Sequence, residues 1–153
     1  MIHETDPGLD KEPGSVGCYV ESIGAFDLEF TDDVVNRVWR EGKAQGYISS
    51  ALIVVNPQGI VDLYGYPLRF LDGHFPADYS FNPTAMHVIG EWHNASTGFT
   101  HFVVMDGKGS SRENVIYDPI PVHYDAAGLA HPGSKTVAEG VFVSYRLFEK
   151  VVA

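Results

Sequence analysis

The constraint that bears hardest on this chain is a change of apolar rhythm at Gly65. Before it, apolar residues recur near every 3.6 positions, and after it they alternate with a period of about 2. Amphipathic helices followed by a run of half-buried strands describe an α+β domain, with N-terminal helices packed on a C-terminal antiparallel sheet. At 153 residues the chain has room for one core and not for two ordinary domains.

The helical half divides into three segments. From Cys18 to Phe30, apolar residues fall at Tyr19, Val20, Ile23, Phe26 and Phe30, with Gly24 weakening the pattern. Thr31, Asp32 and Asp33 supply a hydroxyl cap and two carboxylates at the positive end of a second helix. Its apolar face is Val34, Val35, Val38 and Trp39, and it ends at Gly46. Asn56 and Pro57 start a short third helix, with Ile60, Leu63 and Tyr64 facing inward before Gly65.

The second half predicts strands at Leu68 to Leu71, Met86 to Trp92, Phe99 to Met105, Asn114 to Tyr117 and Val141 to Phe148. The turn Asp106-Gly107-Lys108-Gly109 joins the third to the fourth as a hairpin, with Ser110 to Glu113 as a mobile extension. Residues 125–139 are small and turn-rich and are expected to loop over one edge. Residues 1–16, with Pro7, Gly8, Pro13 and Gly14, read as an N-terminal arm leading into a domain over 17–153.

A formal net charge of -10, with Lys and Arg scattered, disfavours nucleic acid and anionic lipid as partners. It biases any ligand toward neutral or cationic chemistry. The sequence contains no uninterrupted apolar stretch of about 18 residues and no recognisable export signal. The expectation is a protein without a transmembrane segment, cytoplasmic or released without a signal peptide.

Three residues carry the chemistry. Cys18, the only cysteine, follows Gly17 at a helix start, where unpaired N–H groups lower a thiol pKa and can bind an oxyanion. His101 lies in an apolar strand, where alternation puts it with Val103 and Met105 on one face and Phe102 and Val104 on the other. Asp118, before Pro119, ends the strand beside it. A nucleophilic thiol needs an imidazole to take its proton and a carboxylate to orient the ring. Each residue also has a plain structural reading: Cys18 as a small buried hydrophobe, His101 as a core histidine and Asp118 as a turn aspartate.

Gly17-Cys18 opening a helix, Gly-x-Thr-His-x-Val-Val over residues 98–104, and Tyr117-Asp118-Pro119 resemble the papain-like cysteine peptidases of the bacteriocin-leader-processing (double-glycine peptidase) type. The resemblance implies a papain-like fold over about 17–148 and cleavage of a peptide or amide bond through a thioester acyl-enzyme, without a cofactor. Cys18 would be the nucleophile, His101 base and then acid, and Asp118 the orienting residue. Peptide, isopeptide and cell-wall peptide substrates all fit, and oligomeric state is left open. Such enzymes usually carry a glutamine before the nucleophile, whereas residues 1–17 here contain no Gln or Asn. Gln58, Asn56 and Ser15 are the substitutes considered. Tyr19 also stands where the processing peptidases tend to have a second glycine.

Three other readings compete. Transglutaminase-like proteins share the Cys, His, Asp order and pass the acyl group to an amine. A metal site would draw on His87, His93 and His101 with Glu91. A non-catalytic binding module of the same scaffold would line its cleft with Tyr64, Tyr66, Phe70, Phe75, Tyr79 and Phe81.

Overall fold

Local capping decides where the helices begin. In the computed structural model, which describes residues 3–152 apart from the Ser15 side chain, a single turn α1 (Pro13–Val16) leads into α2 (Cys18–Gly24). Helix α3 (Asp32–Ala44) starts at Thr31, whose hydroxyl accepts from the Val34 N–H. Helix α4 (Pro57–Tyr64) starts at Asn56, which accepts from the Gly59 N–H, and stops at Gly65, whose φ of 76° is the left-handed cap that glycine adopts most easily. The first helix is shorter than its apolar spacing predicts. After Gly24 the chain runs through consecutive i→i+3 turns, Phe26 to Ile23, Asp27 to Gly24 and Phe30 to Asp27. Phe30 is buried from a turn, not from a helix.

The strands are β1 (Leu68–Phe75), β2 (Met86–Asn94), β3 (Phe99–Met105), β4 (Val115–Tyr117), β5 (Val122–Tyr124), β6 (Ala130–Pro132) and β7 (Val141–Lys150). Five form one antiparallel sheet in the order β1-β7-β2-β3-β4, and β5 pairs with β6 in a separate ribbon. Two expectations are corrected here. Residues 125–139 contain β6 and a short helix α5 (Lys135–Glu139), because Ser134 caps that helix by accepting from the Val137 N–H and Thr136 and Val137 are buried. The Ser110–Glu113 stretch is tied down: Asn114 Oδ1 accepts from the Ser111 backbone and hydroxyl, and its amide donates to Asp106.

The sheet is covered on both faces, so both parities of β2 and β7 contribute buried apolar residues, Ile89 and Phe148 to one face and Val88 and Leu147 to the other. Helices α2, α3 and α4 bring Val20, Ile23, Val38, Trp39 and Ile60 against Ile89 and Phe148. The other face gathers Val88, Trp92, Val103, Met105, Tyr145 and Leu147 under Val137 of α5. Residues 3–16 lie along this body. Glu4 donates its N–H to the Pro119 carbonyl, Asn36 of α3 bonds both Asp10 N–H and Gly8 C=O, and Trp39 donates to Glu12. Among the described residues, no helix is long and apolar enough to cross a membrane.

Candidate active site

Strand parity and one helix start bring the three predicted residues together. Tyr117 faces Val104 across β3 and β4, so the next residue, Asp118, falls on the His101 and Val103 face. His101 Nε2 lies 2.6 Å from Asp118 Oδ1. Asp118 also accepts from the Ile120 N–H through Oδ1 at 2.9 Å and from the Ser134 N–H through Oδ2 at 2.7 Å. It is therefore both the turn aspartate before Pro119 and the partner of the imidazole. Burial raises its pKa, but the His101 hydrogen bond and charge and the two N–H donors outweigh this and hold it below the usual carboxylate range.

That bond fixes the imidazole. With Nε2–H given to an ionised carboxylate, Nδ1 carries the lone pair. His101 is fully buried, and its Nδ1 has no hydrogen-bond partner among the described residues. A His101 ring nitrogen, the Cys18 sulfur and a Glu4 carboxylate oxygen all lie within 4.8 Å of one another. Since Nε2 is engaged, Nδ1 is the nitrogen open to the thiol.

Helix α2 docks on the edge of β3. Its Ser22 hydroxyl donates to the Phe102 carbonyl at 3.1 Å, and Tyr19 stacks on Phe102 with ring centroids 4.6 Å apart. Cys18, 9% exposed, sits on the wall of a cleft of about 550 Å³. Residues Leu52 to Val55, Phe70 and Phe99 form the apolar walls, while Glu4, Asp72, His74 and Arg146 supply polar groups. Arg146 is engaged by Glu91 and Ser144.

The thiol is not ionised at rest, contrary to what its position at a helix start predicts. Burial pushes it up to about 12, Glu4 and Glu21 add to the rise, and backbone hydrogen bonds from Phe102 and Tyr19 oppose it without prevailing. The helix behind it has only seven residues.

The remaining predicted residues lie elsewhere. Gln58 bridges α4 and β1, donating to Asp62 and Leu68 and accepting from Phe70, and Asn56 caps α4. Neither lines the cleft that holds Cys18, and the Ser15 side chain is outside the described residues. The metal set of His87, His93, His101 and Glu91 does not assemble. His101 pairs with Trp92 on one face of the sheet, and His87 and Glu91 take the other. His87 bonds the Ser22 carbonyl and is lowered to about 4 by burial, His93 meets Thr100, and Glu91 meets Arg146. Of the six aromatics considered for a cleft, only Phe70 lines this one. Tyr64 and Tyr66 stack and donate to Val20 and Gly24 carbonyls, and Phe75, Tyr79 and Phe81 pack together on the other face.

Sequence reasoning missed Glu4 and Glu21. Glu4 arrives from the arm, and burial with the Asp118 charge raises its carboxyl to about 8. Glu21 is fully buried one turn after Cys18, without a hydrogen-bond partner among the described residues, and burial raises it to about 10. Glu21 was detectable as an acid at Cys18 plus three on a buried helix face, whereas nothing in the polar arm flags Glu4. No family model, curated protein or solved structure matches this chain.

Proposed function

We propose that this chain is a papain-like, thiol-dependent hydrolase that cleaves a peptide or amide bond through a thioester on Cys18. One observation carries the reading: a buried imidazole gives Nε2–H to Asp118 and leaves Nδ1 bare beside the only thiol, at the wall of an open cleft.

The substrate carbonyl lies in the cleft, and Cys18 Sγ attacks it while the thiol proton passes to His101 Nδ1. Because the resting thiol is neutral, proton transfer accompanies attack instead of preceding it. Asp118 stabilises the imidazolium that results. Backbone N–H groups near the sulfur are the donors available to the carbonyl oxygen as it gains charge. Collapse expels the amine, which takes the proton from Nδ1, and leaves the acyl thioester. Water then attacks it, with His101 again as base, releasing the acid and restoring the thiol.

The apolar walls, the acids Glu4 and Asp72 in the lining and the net charge of -10 favour a neutral or cationic peptide, isopeptide or cell-wall peptide over an anionic one. The test uses the full chain with p-nitrophenyl acetate in the presence of a chelator. The expected result is a burst of p-nitrophenolate and an acetyl group on Cys18 by mass spectrometry, with none in Cys18→Ser and a rate at least about 100-fold lower in folded His101→Ala. An equal rate in His101→Ala would sink the proposal.

A further inference from the structure

The group at the thiol contains more than an acyl-transfer pair requires. A carboxylate oxygen, a thiol sulfur and an imidazole nitrogen from three separate segments, the arm, α2 and β3, converge within 4.8 Å. His101 is wholly buried, and its Nδ1 is without a partner among the described residues; with Nε2 held by Asp118, Nδ1 is the ring nitrogen left for this group. The titratable side chains that act on the sulfur, Glu4 and Glu21, are both acids. Arg146, the guanidinium of the cleft, is held by Glu91 and Ser144.

We propose that Glu4, Cys18 and His101 form a binding site for a divalent transition-metal ion of the zinc class, and that its occupancy silences the thiol. The ligand set stands on geometry alone; the silencing rests on the hydrolase reading above. One sulfur, one nitrogen and one oxygen form a donor set that suits zinc and disfavours magnesium and calcium, which take oxygen ligands. Bond lengths of about 2.0–2.3 Å put the ligand atoms of a tetrahedral site some 3.3–3.7 Å apart. Separations of at most 4.8 Å close to that range by shifts of about 1–1.5 Å, shared between the Glu4 side chain on its arm and a small turn of the Cys18 side chain toward the imidazole.

Asp118 completes the arrangement from behind. A carboxylate on the far nitrogen of a ligating histidine fixes its tautomer and raises its basicity. Glu4 and Cys18 both line the cleft, so a water from it would be the fourth ligand. Binding expels the thiol proton, and any proton on Glu4, to solvent, so the sulfur becomes a metal thiolate that no longer attacks carbonyls.

The experiment uses the full chain, stripped with a chelator and desalted. Zinc is titrated against a chromogenic chelator, and cobalt is added in parallel to read thiolate-to-cobalt charge-transfer absorption. The expected result is one ion per chain and a charge-transfer band that Cys18→Ser abolishes. Zinc affinity should fall by at least about 10-fold in Glu4→Gln and in His101→Ala. Absence of binding at micromolar zinc overturns the proposal, as does a Glu4→Gln protein that holds zinc as tightly as the parent. Glu4→Gln is a near-isosteric change in the arm, so it decides the matter even where a core variant does not fold. The ester burst, run with and without zinc, separates the two readings. A metal-free chain with no burst but intact zinc binding defeats the hydrolase and spares the site; a burst unaffected by bound zinc defeats the silencing.

Discussion

Asp118 holds three donors with two oxygens, and this makes its replacement informative. In Asp118→Asn, one of the two positions becomes an NH₂ that faces either the His101 Nε2–H or the Ser134 N–H, so donor meets donor. The expected cost is about 1–3 kcal/mol of stability, together with a loss of about 10²–10⁴-fold in the acylation rate as the ring tautomer is released. Denaturant unfolding and the ester burst measure the two. Because the folded carboxyl lies below its usual range, its stabilisation is present above the unfolded value near 4 and fades as pH falls through the folded one. The stability gap between parent and variant should therefore narrow below about pH 4. Glu21 titrates in the opposite sense. Its folded value of about 10 lies above the ordinary 4.5, so the folded chain binds the extra proton, and stability drops as pH climbs from about 4.5 toward 10. Glu21→Gln removes that dependence. Thermal unfolding should show a gain of roughly 2–4 kcal/mol at pH 8 and almost none at pH 4, and an equal gain at both would refute the assignment.

At the scale of elements, the position of the thiol depends on how closely α2 approaches α4. Gly24 makes that approach possible. A Cβ there would lie 2.6 Å from the Tyr64 hydroxyl and 2.9 Å from the Phe30 ring, and Tyr64 is anchored by its bond to the Val20 carbonyl. Gly24→Ala, favourable for an isolated helix, should instead destabilise the fold by about 1–3 kcal/mol and slow the acylation of Cys18, as read by denaturant unfolding and the ester burst. A stabilised variant would show that the contact yields. The same elements show why part of the fold is legible in sequence. Thr31 and Asn56 act on N–H groups three residues away, so the starts of α3 and α4 are local facts. The end of α2 is not, because Phe26 and Phe30 meet the apolar spacing of a helix while being packed from turns. Strand alternation assigns His101 its face and the hairpin turn puts Asp118 at the end of the neighbouring strand, but no local pattern reports that the last strand, β7, inserts between β1 and β2.

Considered as a whole, the molecule is organised around a segment that composition describes only as a polar lead-in. The arm has few apolar residues to bury, yet α3 holds it by specific bonds: Asn36, 5% exposed, accepts from Asp10 N–H at 2.8 Å and donates to Gly8 C=O at 2.9 Å. Glu4 is thereby kept at the thiol and in the wall of the cleft. Loss of the Asn36 amide should loosen the arm before it unfolds the domain, since the two larger cores contain no residue of 3–16 and only Leu9 packs on the third, against Ala25, Phe30, Val35, Val104 and Tyr117. In Asn36→Ala we expect a loss of about 1–3 kcal/mol, faster limited proteolysis within residues 3–16, and a several-fold faster reaction of Cys18 with iodoacetamide as Glu4 withdraws. Arg40→Ala is the matched control. It removes only the Arg40–Asp10 pair, whose side chains are 67% and 48% exposed, and such a pair contributes little. If the two variants expose the thiol equally, or if the arm is cleaved faster while the thiol stays as slow as in the parent, the arm does not cover the nucleophile. If only the asparagine variant releases both, access to Cys18 is governed from a side chain on α3 that never touches the cleft.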